Sequence, residues 1–379
     1  MKYRDFGKTG VRVSALGFGA MRLPHEDSED EIDRPVAIEL MQYAFDRGVN
    51  YVDTAYAYHG GNSELVVGEA LANGYRERVY LATKMPVWEV ESYTDFDRLL
   101  DEQLAKLGVD YLDFYLLHAL RGPRWDKVRD LGVLDWVRRP LSDGRIRHLG
   151  FSFHDSYDRF VEILAEYDWE FCQVQYNILC EDVQAGTRGV TYAAENGVAL
   201  VIMEPLYGGS LAQPPDVVRA VLEADGSSHS IVDLALRWLW DKPEIGVVLS
   251  GMNTLEQVQQ NLLSAERSGV GSLSPDEREL IGRIQDAYRT LSPVPCTKCR
   301  YCMPCPNGVD IPRNFEMYNQ AMLHEPGRTV NRINYAHMTE AERAAACIAC
   351  RECEEQCPQG IEISAWMPKV DELLREQGG

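Results

Sequence analysis

Eight of the chain's ten cysteines fall between positions 296 and 357, in two runs. The first is Cys296-x2-Cys299-x2-Cys302-x2-Cys305-Pro, and the second is Cys347-x2-Cys350-x2-Cys353-x3-Cys357-Pro. Thiolates bind iron–sulfur clusters and zinc alike. Zinc is usually held by two Cys-x2-Cys pairs set well apart in the chain. Three closely spaced cysteines followed by Cys-Pro, given twice, favour iron–sulfur chemistry over zinc. The eight thiolates divide into two sets of four, which suits two 4Fe-4S clusters. A secreted disulfide scaffold would be short and led by a signal peptide, so the cysteines point to a metal site in a reducing compartment. Cys172 and Cys180 stand outside both runs and read as ordinary buried thiols.

A second set of reactive side chains closes successive apolar runs: Asp53 after NYV, Lys84 after VYLAT and His118 after YLDFYLL, with Tyr58 a short way beyond Asp53. Taken singly, each has a plain reading. Asp53 could cap a loop, Lys84 could snorkel to solvent, and His118 could be a satisfied core histidine. Three ionisable groups at the ends of three consecutive strands instead suggest one acid–base site at the mouth of a barrel.

The elements that must position these residues follow a regular alternation. Apolar runs begin near positions 16, 50, 79, 111, 146, 171, 198 and 246. Most lie about 25 to 35 residues apart, room for a strand and a returning helix. The last gap is longer and leaves space for an extra loop. Runs this apolar suit strands buried on both faces of a parallel sheet. Helical periodicity fills 35–47, 63–71, 95–107, 156–167, 182–196, 230–240 and 254–268, and less cleanly 128–141. Eight such units predict an α/β fold, a (β/α)8 TIM barrel, over a doubly wound sheet. The VRVSALGF stretch predicts a small hairpin closing the barrel floor. A helix at 275–288 follows Ser274 as N-cap, and SPVPC then breaks the pattern. The boundary is placed at 290, giving a barrel over 1–290 and a smaller, mainly α-helical cysteine domain over 291–379, with helical patterning at 312–324 and 339–346.

Composition narrows the partners. Acidic residues outnumber basic ones, 59 to 38, for a net charge of −21. A surface that negative argues against nucleic acid and anionic membrane. The start, MKYRDFGKTG, lacks the apolar stretch of a signal peptide, and no apolar run nears the roughly 20 residues that span a bilayer. The expectation is a cytoplasmic protein acting on a small molecule.

The order Asp53, Tyr58, Lys84, His118, carried in GVNYVDTAYAY, GNSELVVGEAL, LATK and YLLH, resembles the aldo-keto reductase superfamily over about residues 1–265. The resemblance implies that Tyr58 donates a proton to a substrate carbonyl, with Asp53, Lys84 and His118 as its partners, and that a nicotinamide supplies hydride. The physics agrees with those roles. A phenol titrates near 10 and needs help near neutral pH, and an adjacent ammonium is expected to lower that value. Asp53 would offset the lysine's buried charge, and His118 would donate to the oxygen where negative charge develops. On the cofactor side Ser152 and Gln173 match the carboxamide-binding positions. Phe153 replaces the asparagine usual after that serine, and Met203 aligns with the aromatic usually stacked on the nicotinamide. Ser250 and Asn261 match the adenosine side, where Gln257 replaces the arginine that clamps a 2′-phosphate. No Lys or Arg occurs between Lys242 and Arg267. Since a 2′-phosphate needs charge-assisted partners, NAD(H) is expected over NADP(H). His59, Trp88 and Trp125 follow strand ends and either line the pocket or pack at its solvent edge. Arg22, after the first barrel strand, meets either an anionic substrate or water.

The second cysteine run has the spacing of bacterial ferredoxins, and the first departs from it by one residue. In ferredoxins the fourth cysteine of each run ligates the other cluster. The resemblance therefore implies one set of Cys296, Cys299, Cys302 and Cys357, and a second of Cys347, Cys350, Cys353 and Cys305. The long helical spacer resembles the dicluster ferredoxin domains of respiratory iron–sulfur subunits. No flavin-binding motif is apparent between two-electron nicotinamide and one-electron clusters. Three readings follow: a nicotinamide-linked carbonyl reductase or alcohol dehydrogenase whose clusters are structural or relay electrons to a protein partner; a reductase driven by the clusters without nicotinamide; and a non-catalytic electron carrier or redox sensor on a barrel scaffold. The first is preferred, and the intact Tyr58, Lys84, His118 set speaks against the third.

Overall fold

The apolar runs form strands where their pattern places them. In the computed structural model, β1 (Tyr3–Asp5) pairs antiparallel with β2 (Arg12–Ser14). The eight barrel strands are β3 (Leu16–Gly19), β4 (Tyr51–Asp53), β5 (Tyr80–Met85), β6 (Leu112–Leu120), β7 (Ile146–Phe153), β8 (Phe171–Gln175), β9 (Ala199–Met203) and β10 (Ile245–Ser250). They run parallel and close in the order β10-β3-β4-β5-β6-β7-β8-β9. This is the expected (β/α)8 barrel, each strand starting within a residue of its apolar run. The structure describes residues 1–25, 28, 31–226, 229–291, 293–296, 300–323, 325–357 and 359–375. Cys299 and the last position of the 312–324 helix lie outside the described residues.

The barrel interior is filled rather than hollow at its floor. Phe6, just past β1, inserts among Tyr51, Phe114, Phe171 and Val201, with its ring 5.2 Å from that of Phe114 and nearly perpendicular to it. The hairpin thus closes the floor, as its sequence suggested. Local chemistry starts the helices. Asp33, Ser156, Ser230 and Thr254 each accept a backbone N–H three residues on, and Ser92 and Asp95 form a capping box before Tyr93–Leu107. Helix Ser63–Ala70 crosses Tyr93–Leu107 so closely that a Cβ on Gly68 would stand 2.4 Å from the Leu107 carbonyl oxygen, which only glycine allows.

Three stretches differ from expectation. The indistinct 128–141 pattern is three short helices, Gly122–Asp130, Val133–Trp136 and Arg138–Ser142, broken where Gly132 takes a positive φ of 87°. The long gap before β10 holds the helix Asp216–Asp225 rather than only a loop. Segment 339–346 is not a helix. Glu342 folds back on the Thr339 N–H and hydroxyl, and Asn314 takes the Glu342 carbonyl and the Ala344 N–H. Only Ala344–Ala346 makes a 3-10 turn. The second helix of that region is instead Glu325–Ala336.

The chain divides into two compact units, residues 1–212 with 229–277, and 213–228 with 278–379. The second has its own core, in which Ile311, Phe315, Tyr335, Ile363, Met367 and Val370 are buried. No helix among the described residues is long and apolar enough to cross a membrane.

Candidate active site

Strand register delivers the polar residues to one mouth of the barrel. Asp53 ends β4, Lys84 lies next to the end of β5, Met203 ends β9 and Ser250 ends β10. Lys84 is wholly buried. Its ammonium donates to Asp53 Oδ1 at 2.6 Å, to the Thr54 carbonyl at 2.7 Å and to the Tyr58 hydroxyl at 3.2 Å. An ammonium has three protons, and all three have a partner here. The Tyr58 oxygen therefore accepts from Lys84 and keeps its own proton to give away. The His118 ring stands 5.9 Å from the Tyr58 ring, edge to face.

His118 reaches this position through an irregularity. The β6–β7 register shifts between Leu117 and Leu120, and Ala119 adopts a left-handed φ of 51°. A non-glycine residue held there is strained and needs support. The support is Ser152, whose hydroxyl accepts the Ala119 N–H at 2.7 Å.

Electrostatics departs from the sequence expectation at one residue. Burial raises the Tyr58 pKa above its usual value, and Lys84 opposes that rise without overcoming it. Sequence reasoning weighed the ammonium and missed the desolvation. Lys84 stays protonated: burial works against its charge, but Asp53 and Tyr58 outweigh it. Burial, then Lys84, His154 and Arg124, pushes His118 well below the usual histidine value. Burial also raises the Asp53 pKa, and Lys84 opposes that rise; the site is a phenol and an imidazole that favour their neutral forms beside the Lys84–Asp53 pair.

Behind Lys84 lies a network that the sequence reading overlooked. Gln103 Nε2 donates to the Lys84 carbonyl at 3.0 Å and to Glu64 Oε1 at 2.6 Å; the Thr83 hydroxyl donates to the same carboxylate oxygen, and the Tyr115 hydroxyl donates to Gln103 Oε1. All four residues are fully buried. The available signal was Gln103 itself, a polar residue inside the apolar stripe of Phe96, Leu100, Leu104 and Leu107.

These residues open on a cavity of about 220 Å³. Its wall includes Tyr58, Lys84 and His118 on one side and Ser152, Gln173 and Met203 on the other, continuing past Ser250, Gly208 and Arg22. Gln173 Oε1 is buried there with no hydrogen-bond partner. Asn261 is not on the wall; its amide donates to the Ser250 hydroxyl from behind at 2.9 Å. The Gln257 side chain accepts the Asn253 N–H at 2.9 Å. His59 and Trp125 do not line the cavity either. His59 Nε2 accepts the Leu23 N–H, and Trp125 is buried against Trp169 with its indole N–H on Glu166. Trp88 does stand beside the site, 5.1 Å from the His118 ring. Cys172 and Cys180 are buried, and burial pushes the Cys172 thiol far up.

In the second unit Cys296, Cys302 and Cys357 line one small cavity of about 20 Å³ together with Arg300 and Phe315. Burial lifts the Cys353 thiol to about 11, with Cys305 and Cys347 adding to the rise. Cys350 is exposed. Cys357 of the second run thus shares a cavity with Cys296 and Cys302 of the first. Among the described residues no three His, Cys, Asp or Glu side chains gather about a single ion's position. The arginine after the second cysteine of each run takes the same left-handed turn, φ 64° at Arg300 and 67° at Arg351.

Comparison with known proteins follows both halves. Residues 15–270 match the Aldo/keto reductase family, and residues 295–362 match a 4Fe-4S dicluster domain. The NADH-specific methylglyoxal reductase of Escherichia coli is 27% identical over 309 residues, covering 69% of this chain and 93% of its own. The 6-dehydroglucose reductase of Novosphingobium aromaticivorans is 30% identical over 264 residues, covering 64% and 83%. Among solved structures, the holo form of aldo-keto reductase AKR11C1 from Bacillus halodurans superposes with a TM-score of 0.63 at 26% identity, covering 75% of this chain and 96% of that one. An aldo/keto reductase from Klebsiella pneumoniae in complex with NADP and acetate gives a TM-score of 0.61 at 25% identity, covering 75% and 95%.

Proposed function

The chain belongs to the aldo/keto reductase family and carries a C-terminal 4Fe-4S dicluster domain, and on that premise we propose that its barrel interconverts a carbonyl and an alcohol with Tyr58 as the proton donor. The observation that carries this reading is the triply bonded Lys84 ammonium, which orients the Tyr58 hydroxyl while leaving its proton free. The neutral imidazole of His118 donates to the carbonyl oxygen as negative charge grows there. Asp53 holds the buried ammonium charged and in place. The Gln103–Glu64 network fixes the strand that carries Lys84, a positioning role.

The wall opposite fits a nicotinamide. A carboxamide offers an N–H donor and a carbonyl acceptor. Gln173 Oε1 is a buried acceptor lacking a donor, and Ser152, which accepts from Ala119, still has its own proton to give. When bound, the nicotinamide supplies the hydride. Met203 offers an apolar, polarizable face for its ring. That fit favours a nicotinamide-linked enzyme over a reductase driven by the clusters alone.

For the nucleotide we propose NADH. Gln257 spends its side chain on the Asn253 N–H, and the segment between Lys242 and Arg267 offers no cation for a 2′-phosphate. The test is turnover of a carbonyl panel with each nucleotide under anaerobic conditions. We expect kcat/KM with NADH to exceed that with NADPH by about tenfold or more, and Gln257→Arg to narrow the ratio, since a charge-assisted bond contributes about 1.5–3 kcal/mol. NADPH preference in the unaltered protein would refute this choice.

For the clusters we propose the crossed sets: Cys296, Cys299, Cys302 and Cys357 for one, and Cys347, Cys350, Cys353 and Cys305 for the other. The shared cavity of Cys296, Cys302 and Cys357 supports the first set, and the approach of Cys305 and Cys347 to Cys353 supports the second. When bound, such clusters exchange single electrons, and an electron-transfer protein is the partner that chemistry suits. Cys357→Ser is expected to halve the iron, from about eight to about four atoms per chain, and to leave the cluster held mostly by its own run. Full iron content, or loss of both clusters with the domain still folded, would contradict the crossed assignment.

A further inference from the structure

We propose that the carbonyl substrate is an anion, whose carboxylate or phosphate group is received by Arg124 and Arg121 beside His154. This rests on the reading that the barrel reduces a carbonyl, and it names the substrate class of that site.

Positive charge gathers in an unexpected place. At −21 the chain as a whole repels anions. Most arginines of the barrel unit neutralise a carboxylate. Near the loop after β6, Arg129 meets Asp130 and Arg159 meets Asp126. Arg121, just past β6, and Arg124, in the helix Gly122–Asp130, have no carboxylate partner among the described residues. Arg124 is half-buried, with one Nη on the Ala119 carbonyl at 3.1 Å and its guanidinium 5.1 Å from the Trp88 ring centre. Trp88 in turn stands 5.1 Å from His118. Outward from the imidazole at the reacting oxygen, an indole and then a guanidinium therefore follow one another; His118 lines the cavity, and Trp88 and Arg124 stand behind it rather than on its wall.

His154, on the cavity wall, completes the group. These positive or protonatable groups act against one another. Burial and then Arg121 depress the Arg124 pKa, burial and then Arg121 depress that of His154, and His154 and Arg124 add to the burial that depresses His118. An anion seated among them relieves all these repulsions at once, which a neutral substrate does not. Asp155, next in sequence to His154, is engaged with the backbone: it accepts the Gly122 and Ser156 N–H groups. Glu204, the wall's other acid besides Asp53, follows β9 on the side assigned to the nucleotide. Arg22 also belongs to that side, since it stands against Gly208 and Gly251. Arg124 instead neighbours Trp88 and, through it, His118, and Arg121 follows Leu120, which pairs with Phe153 just before His154.

The experiment compares matched substrates on the holoprotein. Succinic semialdehyde is set against butanal, and glyceraldehyde 3-phosphate against glyceraldehyde. The expected result is a kcat/KM at least tenfold higher for one anion over its neutral counterpart, falling with added salt. Which pair shows the preference identifies the group as carboxylate or phosphate. In Arg124→Met that ratio should fall about 10- to 100-fold, the effect of a lost bond to a charged group. No preference for either anion, or a preference that survives the Arg121→Gln/Arg124→Met double variant, overturns the proposal. If neither member of either pair is reduced, the carbonyl-reductase reading fails separately. The anion site is then judged by titrating succinate and inorganic phosphate against the intrinsic tryptophan fluorescence. Saturable quenching lost in Arg124→Met upholds the site, and its absence in the unaltered protein refutes it.

Discussion

Tyr58→Phe is expected to slow carbonyl reduction by about 100- to 10,000-fold, the usual contribution of a positioned general acid. The fold should survive. The hydroxyl makes one bond, to Lys84 at 3.2 Å, so its loss costs about 0.5–1.5 kcal/mol, and the iron–sulfur absorbance gives an internal control for an intact second unit. A variant that keeps a tenth of the rate would remove Tyr58 from the chemistry. The same residue sets the pH dependence. Its pKa is raised by burial, so the protonated phenol is present throughout the neutral range, and reduction should show no Tyr58 break from roughly pH 6 to 9. Alcohol oxidation needs the phenolate, whose fraction grows tenfold per pH unit below the pKa, so the oxidation rate should climb through that range. His118, held well below the usual histidine value, should add no inflection near 6.5.

Lys84→Met is expected to damage stability and activity together. Lys84 and Asp53 are both buried, and their side chains meet at 2.6 Å. Removing one partner of a buried pair costs about 3–5 kcal/mol, because the other charge is stranded. At about 2–4 °C per kcal/mol for domains of this general size, the barrel's Tm should drop on the order of 10 °C. The Thr54 carbonyl loses its donor as well. Adding Asp53→Asn to Lys84→Met should recover part of the Tm and none of the turnover, since the stranded charge is gone while Tyr58 still lacks its orienting ammonium. Equal Tm values for the single and double variants would mean that Asp53 had already taken up a proton on its own, and the pair would not be the electrostatic unit described.

The sequence revealed the barrel because its strands are buried on both faces and read as uninterrupted apolar runs, and it pointed to Asp53, Lys84 and His118 because each lies at or near the end of such a run, with Tyr58 a short way past Asp53. It did not reveal the helix Asp216–Asp225 or the three-piece helix after β6, where periodicity is cut by Gly132 and short segments carry too few turns to register. Nor could it show that Ala119 takes a left-handed conformation and that Ser152 supports it, since that contact joins neighbouring strands far apart in sequence. The Thr54 carbonyl was invisible for a simpler reason: every residue has one. The sign of the Tyr58 shift depends on depth of burial against distance to Lys84, two quantities that residue order does not encode. Asn261 and Gln257 matched the expected cofactor side by position, yet their side chains are occupied by Ser250 and Asn253.

The crossed ligand sets proposed for the two cysteine runs bear on how the protein is made. On the crossed assignment, neither run is a complete ligand set while the chain is still being synthesised. The first three thiolates have no fourth until the ribosome has passed Cys357, and Cys305 emerges well ahead of the thiolates it joins. Metal loading is therefore a late event, following release of nearly the whole domain, and it ties the beginning of that domain to its end.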